Sequence, residues 1–117
     1  MKIVVSARGV TPESEVDPRF GRAAHFLLFD SGDGSWEPVE NKQALNAAHG
    51  AGIQAAETVC RHGAGILITG HVGPKAFQVL SDGDVKIYRG DGQSALEALA
   101  AYQAGQLAEI KDADGPH

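Results

Sequence analysis

The stretch that most restricts the fold is Ile66-Leu67-Ile68-Thr69, entered through Gly65 and left through Gly70-His71-Val72-Gly73-Pro74. A short unbroken apolar run with no polar residue at alternate positions is typical of a central strand covered on both faces. Such a strand needs a layer of structure above it and another below. Pro74 is a good first residue for a helix, and Ala76, Phe77, Val79 and Leu80 give that helix an apolar face. The passage therefore reads as strand, glycine turn, helix.

The rest of the chain is arranged around this unit. Ile3-Val4-Val5 marks a first strand over about residues 2–7. The polar stretch 8–24 follows, punctuated by Gly9, Pro12, Pro18 and Gly21; loops longer than about 12–15 residues are uncommon in compact domains and are often functional. His25 to Asp30 reads as a second strand, Ser31-Gly32-Asp33-Gly34 as a hairpin turn, and Trp36 to Glu40 as a third strand that Pro38 pushes to an edge. Residues 41–50 are irregular. From Ala51 the period becomes helical, with Ile53, Ala56, Val59 and Cys60 on one face and Glu57 and Arg61 on the other; His62-Gly63 ends it. A fifth strand covers Val85 to Tyr88. Ser94 and Glu97 form a capping-box pattern before a helix that contains Leu96, Leu99 and Ala100, and Gly105 ends that helix. The order β-β-β-α-β-α-β-α predicts an α/β protein with a mixed sheet and helices on its faces. We expect one domain over residues 1–110 and a polar tail over 111–117.

Composition narrows the function. A formal net charge of −5 makes the overall surface a poor match for nucleic acid. With one cysteine, Cys60, neither an intramolecular disulfide nor a multi-thiolate metal site can form within the chain. No stretch approaches the roughly 20 apolar residues that span a membrane, and no signal peptide is evident at Met1-Lys2-Ile3-Val4-Val5, so a cytoplasmic protein is expected.

Four blocks, "SEVDPRFGRAAHFLLFD" (14–30), "GAGIQAAETV" (50–59), "ITGHVGPKAFQVL" (68–80) and "ALAAYQAGQL" (98–107), resemble the dinitrogenase iron–molybdenum cofactor biosynthesis family. The resemblance runs from about residue 2 to residue 108. It implies a ribonuclease-H-like three-layer fold with a five-stranded mixed sheet. It also implies that the protein holds an anionic metal–sulfide cluster, molybdenum–copper sulfide or one like the iron–molybdenum cofactor. Within the family the chain is most similar to the orange-protein branch of sulfate-reducing bacteria, which implies a molybdenum–copper sulfide cluster held without covalent bonds. Nitrogenase-branch members often carry a histidine just before the Phe-Gly of the first block. Arg19 stands there in this chain, which favours electrostatic capture over imidazole ligation.

In an α/β sheet, ligands sit beyond the carboxyl ends of the strands. That edge would collect Arg8, Arg19 and Arg22 from the first long loop, and His71 and Lys75 from the segment after the apolar run. Phe20 and Val72 would be apolar walls, and Gly21, Gly70 and Gly73 would let a bulky ligand approach the backbone. Helix starts at Gly50-Ala51-Gly52 and Gly73-Pro74-Lys75 would offer free N–H groups to an anion. Against this stand plainer readings. Gly70 and Gly73 make a strand-to-helix turn, Arg19 and Arg22 are solvated surface charges or pair with Glu15 and Asp17, His71 is a loop histidine, His25 is structural, and Cys60 is an inert core thiol. Asn41 and His49 flank the irregular region, where a role facing the ligand is a further reading. A ribonuclease-H-like hydrolase would need clustered carboxylates, yet the first strand, Lys2-Ile3-Val4-Val5-Ser6-Ala7, has none and Asp30 stands alone on the second. The sequence therefore favours a non-enzymatic carrier, with a hydrolase or a cluster-independent protein adaptor as alternatives. The partners expected are the cluster and an acceptor protein.

Overall fold

The structure, a computed structural model, describes residues 1–41 and 51–112. Their strands are β1 (Lys2–Ala7), β2 (His25–Asp30), β3 (Ser35–Glu40), β4 (Ile66–Thr69), β5 (Lys86–Arg89) and β6 (Ala108–Glu109). Their helices are α1 (Ala51–Arg61), α2 (Pro74–Asp82) and α3 (Ala95–Gln103), with a 3₁₀ turn at Phe20–Arg22. The strands form one mixed sheet in the order β3-β2-β1-β4-β5-β6. β1, β4 and β5 run parallel, while β2, β3 and β6 join antiparallel. The carboxyl ends of β1, β4 and β5 thus share one edge.

All four residues of β4 are buried, as the apolar run requires. Alternate side chains feed two cores. Val4, Phe26, Leu28, Leu67 and Ile87 meet Ala55, Ala56 and Val59 of α1 and Ala76 and Leu80 of α2. Ile3, Val5, Leu27, Ile66 and Ile68 meet Ala95, Ala98 and Leu99 of α3. Among the described residues, two helices therefore cover one face and one helix the other.

The structure corrects the strand count and adds what the sequence left open. The sheet of the described residues has six strands where five were expected. The sixth pairs only Glu109 and Ala108 with Tyr88 and Arg89; two residues carry no detectable periodicity, and the pairing depends on where β5 lies. The face of α3 is Ala95, Ala98 and Leu99, while Leu96 is 47% exposed and Ala100 is exposed as well. The small residues pack close to the sheet and leave the larger Leu96 outside. β3 is an edge strand, as Pro38 demands. The predicted capping box forms: Glu97 N–H donates to Ser94 Oγ at 3.1 Å, and Ser94 N–H donates to Glu97 Oε1 at 2.9 Å. Most of the irregular stretch 41–50, including His49 and Gly50, and residues 113–117 of the expected tail lie outside the described residues.

Candidate functional site

The long loop after β1 is held down at Phe20. That ring is 1% exposed and sits in the α1–α2 core, its centroid 5.5 Å from that of Phe26. Burying a phenylalanine fully stabilises by about 1.5–3 kcal/mol, enough to pin a polar loop over the sheet edge. The loop is then sewn to the β4–α2 turn. His71 N–H donates to Pro18 O at 2.7 Å, Phe20 N–H donates to His71 O at 3.2 Å, and Arg19 and His71 form a parallel bridge. Gly70 is required here for space. A Cβ on it would lie 2.6 Å from both Pro18 Cα and Pro18 O, a contact that real side chains do not make.

Beneath the loops the strand ends carry a buried polar network. Ser6 and Thr69 are fully buried at the ends of β1 and β4. Ser6 Oγ donates to Asp17 O at 2.7 Å; having spent its one proton, it accepts from Thr69 Oγ1 at 2.7 Å. Asp17 N–H returns a bond to Ser6 O at 2.9 Å. On the far side of the turn Asn41, 3% exposed, donates through Nδ2 to Ala23 O at 2.9 Å and to Gly21 O at 3.4 Å. Its Oδ1 is buried with no partner among the described residues.

Between this turn and the helices lies a hollow of about 340 Å³ lined by Phe20, Gly21, Gly52, Ile53, Gly73, Pro74, Lys75 and Ala76. The starts of α1 and α2 both border it. Neither helix has an acidic residue in its first turn, and the N-cap of α2 is Gly73, which has no side chain to occupy the first N–H groups. Those amides and the partial positive charge of two helix ends favour an anion. By contrast, α3 is closed by Ser94 and Glu97.

The ten residues expected at the site divide. Phe20, Gly21, Gly73 and Lys75 line the hollow. Arg19 and Arg22 are exposed and flank the same 3₁₀ turn. Gly70 and His71 join the loops rather than wall the hollow. Val72 is 1% exposed and belongs to the core; its place between two turns hid that its side chain points inward. Arg8 is committed elsewhere, with Nε 2.9 Å from Glu15 Oε1. Its neighbours Ser14, Glu15 and Val16 bond to Gln93, Ser94 and Ala95 at the start of α3, on the opposite side of the sheet from the hollow. Arg19 does meet Asp17, at 3.6 Å. Ala76, read as a helix-core position, is buried at 3% exposure and also borders the hollow; Ile53 was read the same way, and no spacing rule separates a core position from one at the mouth of a hollow. Asp17 was visible in the sequence only as a charge near Arg19.

The fold and site define an α/β domain with a donor-rich, partly apolar hollow at the carboxyl edge of its parallel strands. The chain belongs to the dinitrogenase iron-molybdenum cofactor family, whose model matches residues 1–105. Among solved structures it is similar to the apo form of the orange protein of Desulfovibrio gigas: 38% identity, a TM-score of 0.93, and 97% of this chain and 96% of that one covered. A Thermotoga protein provisionally named NifB matches at 32% identity and a TM-score of 0.86, over 99% and 98% of the two chains. An uncharacterized protein of Methanocaldococcus jannaschii is 27% identical over 101 residues, which is 84% of this chain and 85% of its own.

Proposed function

We propose that this protein binds and carries an anionic metal–sulfide cluster without covalent bonds, the cluster being of the molybdenum–copper kind. The observation that carries the reading is the junction of the Arg19–Phe20–Gly21–Arg22 turn with two helix starts around one hollow. A sulfide-rich polyanion is large and its charge is diffuse. Backbone amides and the Arg19, Arg22 and Lys75 cations suit it on one side, and Phe20, Ile53 and Pro74 suit it on the other. The hollow falls at the lower end of the roughly 300–1,000 Å³ common for small-ligand sites. Among the described residues no three His, Cys, Asp or Glu side chains gather as a metal site, so the reading rests on charge and dipoles.

We read the strand order as ribonuclease-H-like but assign no hydrolysis to it. β1 carries no carboxylate, and Asp30 Oδ1 accepts from Gly32 N–H at 2.8 Å, at the opposite end of β2 from the site. The carrier would work in the cytoplasm and hand its cargo to an acceptor protein. No helix of the described residues is long and apolar enough to cross a membrane.

The test is reconstitution. Apo-protein mixed with tetrathiomolybdate and copper should gain visible absorption that co-elutes with it in gel filtration. Arg19→Glu combined with Arg22→Glu should lose most of that colour. A colourless protein peak from the wild type would overturn the reading.

A further inference from the structure

A carrier must release what it holds, and the geometry points to Asp17 as the device: we propose that its carboxylate is a built-in competitor for Arg19 that keeps anion binding at the rim reversible. The inference rests on the carrier reading above. Asp17 is 3% exposed, yet its neighbour Arg19 has a side chain 64% exposed. Asp17 Oδ1 accepts the Arg19 N–H at 3.0 Å and lies 3.6 Å from Arg19 Nε. The two partners differ in freedom. Both main-chain groups of Asp17 are tied to Ser6, whose hydroxyl is itself tied to Thr69. The carboxylate is therefore fixed to the ends of β1 and β4. The guanidinium sits on a long, mostly exposed chain and can swing between the carboxylate and a ligand. The main chain of Arg19 is bridged to His71, two residues before Gly73 in the wall of the hollow, so a swing needs no movement of the loop.

Two effects follow, both from one fixed negative charge. An anion that recruits Arg19 must draw it from Asp17, and Asp17 repels the anion once it has docked. Both shorten the residence of the cargo. The Arg19 end of the pair is mostly exposed, so solvent weakens its contribution to the fold, and the role is read in binding rather than in folding.

The experiment measures the release rate of tetrathiomolybdate from wild type, Asp17→Asn, Arg19→Gln and the double variant at fixed low salt. Asparagine keeps an oxygen that can accept the Arg19 N–H, removes the charge, and puts an N–H donor in place of the second oxygen. Asp17→Asn should slow release by about 3–30-fold, the effect of one unit charge a few ångströms from the ligand at a half-exposed rim. Arg19→Gln should speed release, and in its background Asp17→Asn should have a smaller effect, because only the direct repulsion is left to remove. Unchanged release in Asp17→Asn, beside faster release in Arg19→Gln, overturns the competitor role and leaves the carrier reading standing. A wild type that retains no tetrathiomolybdate sinks both. A second measurement is independent of any variant. The carboxyl carbon resonance of Asp17 in the wild type should shift when tetrathiomolybdate is added; a saturated complex with that resonance unmoved also overturns the proposal.

Discussion

Gly70 and Pro18 touch at backbone distance, and the two loops that make the site meet through that contact. The need is for space. Replacing hydrogen by methyl at Gly70 would drive a Cβ into the Pro18 main chain, which cannot rotate aside as a side chain can. Gly70→Ala should therefore cost about 1–3 kcal/mol, read as a lower midpoint in urea. It should also loosen the His71 N–H to Pro18 O bond, seen as faster exchange of that amide. An unchanged midpoint would mean the loops are not pressed together as described. Gly73, by contrast, has open space at its Cβ, so its claim on the site rests on the amides it leaves uncovered. At Cys60, burial, with a smaller contribution from the Glu57 charge, pushes the thiol above its ordinary value, which suits a packing role between α1 and Val79.

The helices differ in how they begin. α3 carries its own anion, Glu97, whose carboxyl is held below the ordinary glutamate value by the hydrogen bonds with Ser94. A folded-state value below the unfolded one contributes stability that is fully present above the unfolded pKa. It is lost as pH falls through the depressed folded value. The melting temperature of wild type should therefore exceed that of Glu97→Gln at neutral pH, and the gap should close as pH drops below the usual glutamate range. A gap independent of pH would remove the charge from the account of this cap. α1 and α2 carry no acid in the first turn, and these are the two helices that face the hollow.

Across the whole molecule the charge is unevenly placed. The chain is acidic by five charges, yet Lys75 lines the hollow and Arg19 and Arg22 lie on the turn whose Phe20 and Gly21 line it. A hold made of such contacts is screened by salt, since the Debye length falls from about 10 Å at 0.1 M to about 3 Å at 1 M. Retention of the thiomolybdate colour should decline steeply over that range. Retention indifferent to salt would point to direct metal ligation. The shared edge itself comes from topology: β1, β4 and β5 are parallel, so their following segments emerge on one side.

What the sequence determined by itself is local. The buried β4 run, the edge strand with Pro38, the Ser94–Glu97 cap and the glycine helix ends each follow from a few neighbouring residues and their periodicity. The α/β class follows from their order, and the four family blocks supplied an expectation for the cargo. What only the tertiary structure decided is which distant residues meet. Arg8 and Arg19 lie in one loop and look alike in sequence, but Glu15 and the start of α3 draw Arg8 to one side while Phe20 anchors Arg19 to the other. Val72 turned inward and Ile53 outward for the same reason. Contacts between segments some 50 residues apart depend on packing, and packing leaves no periodic trace in the chain.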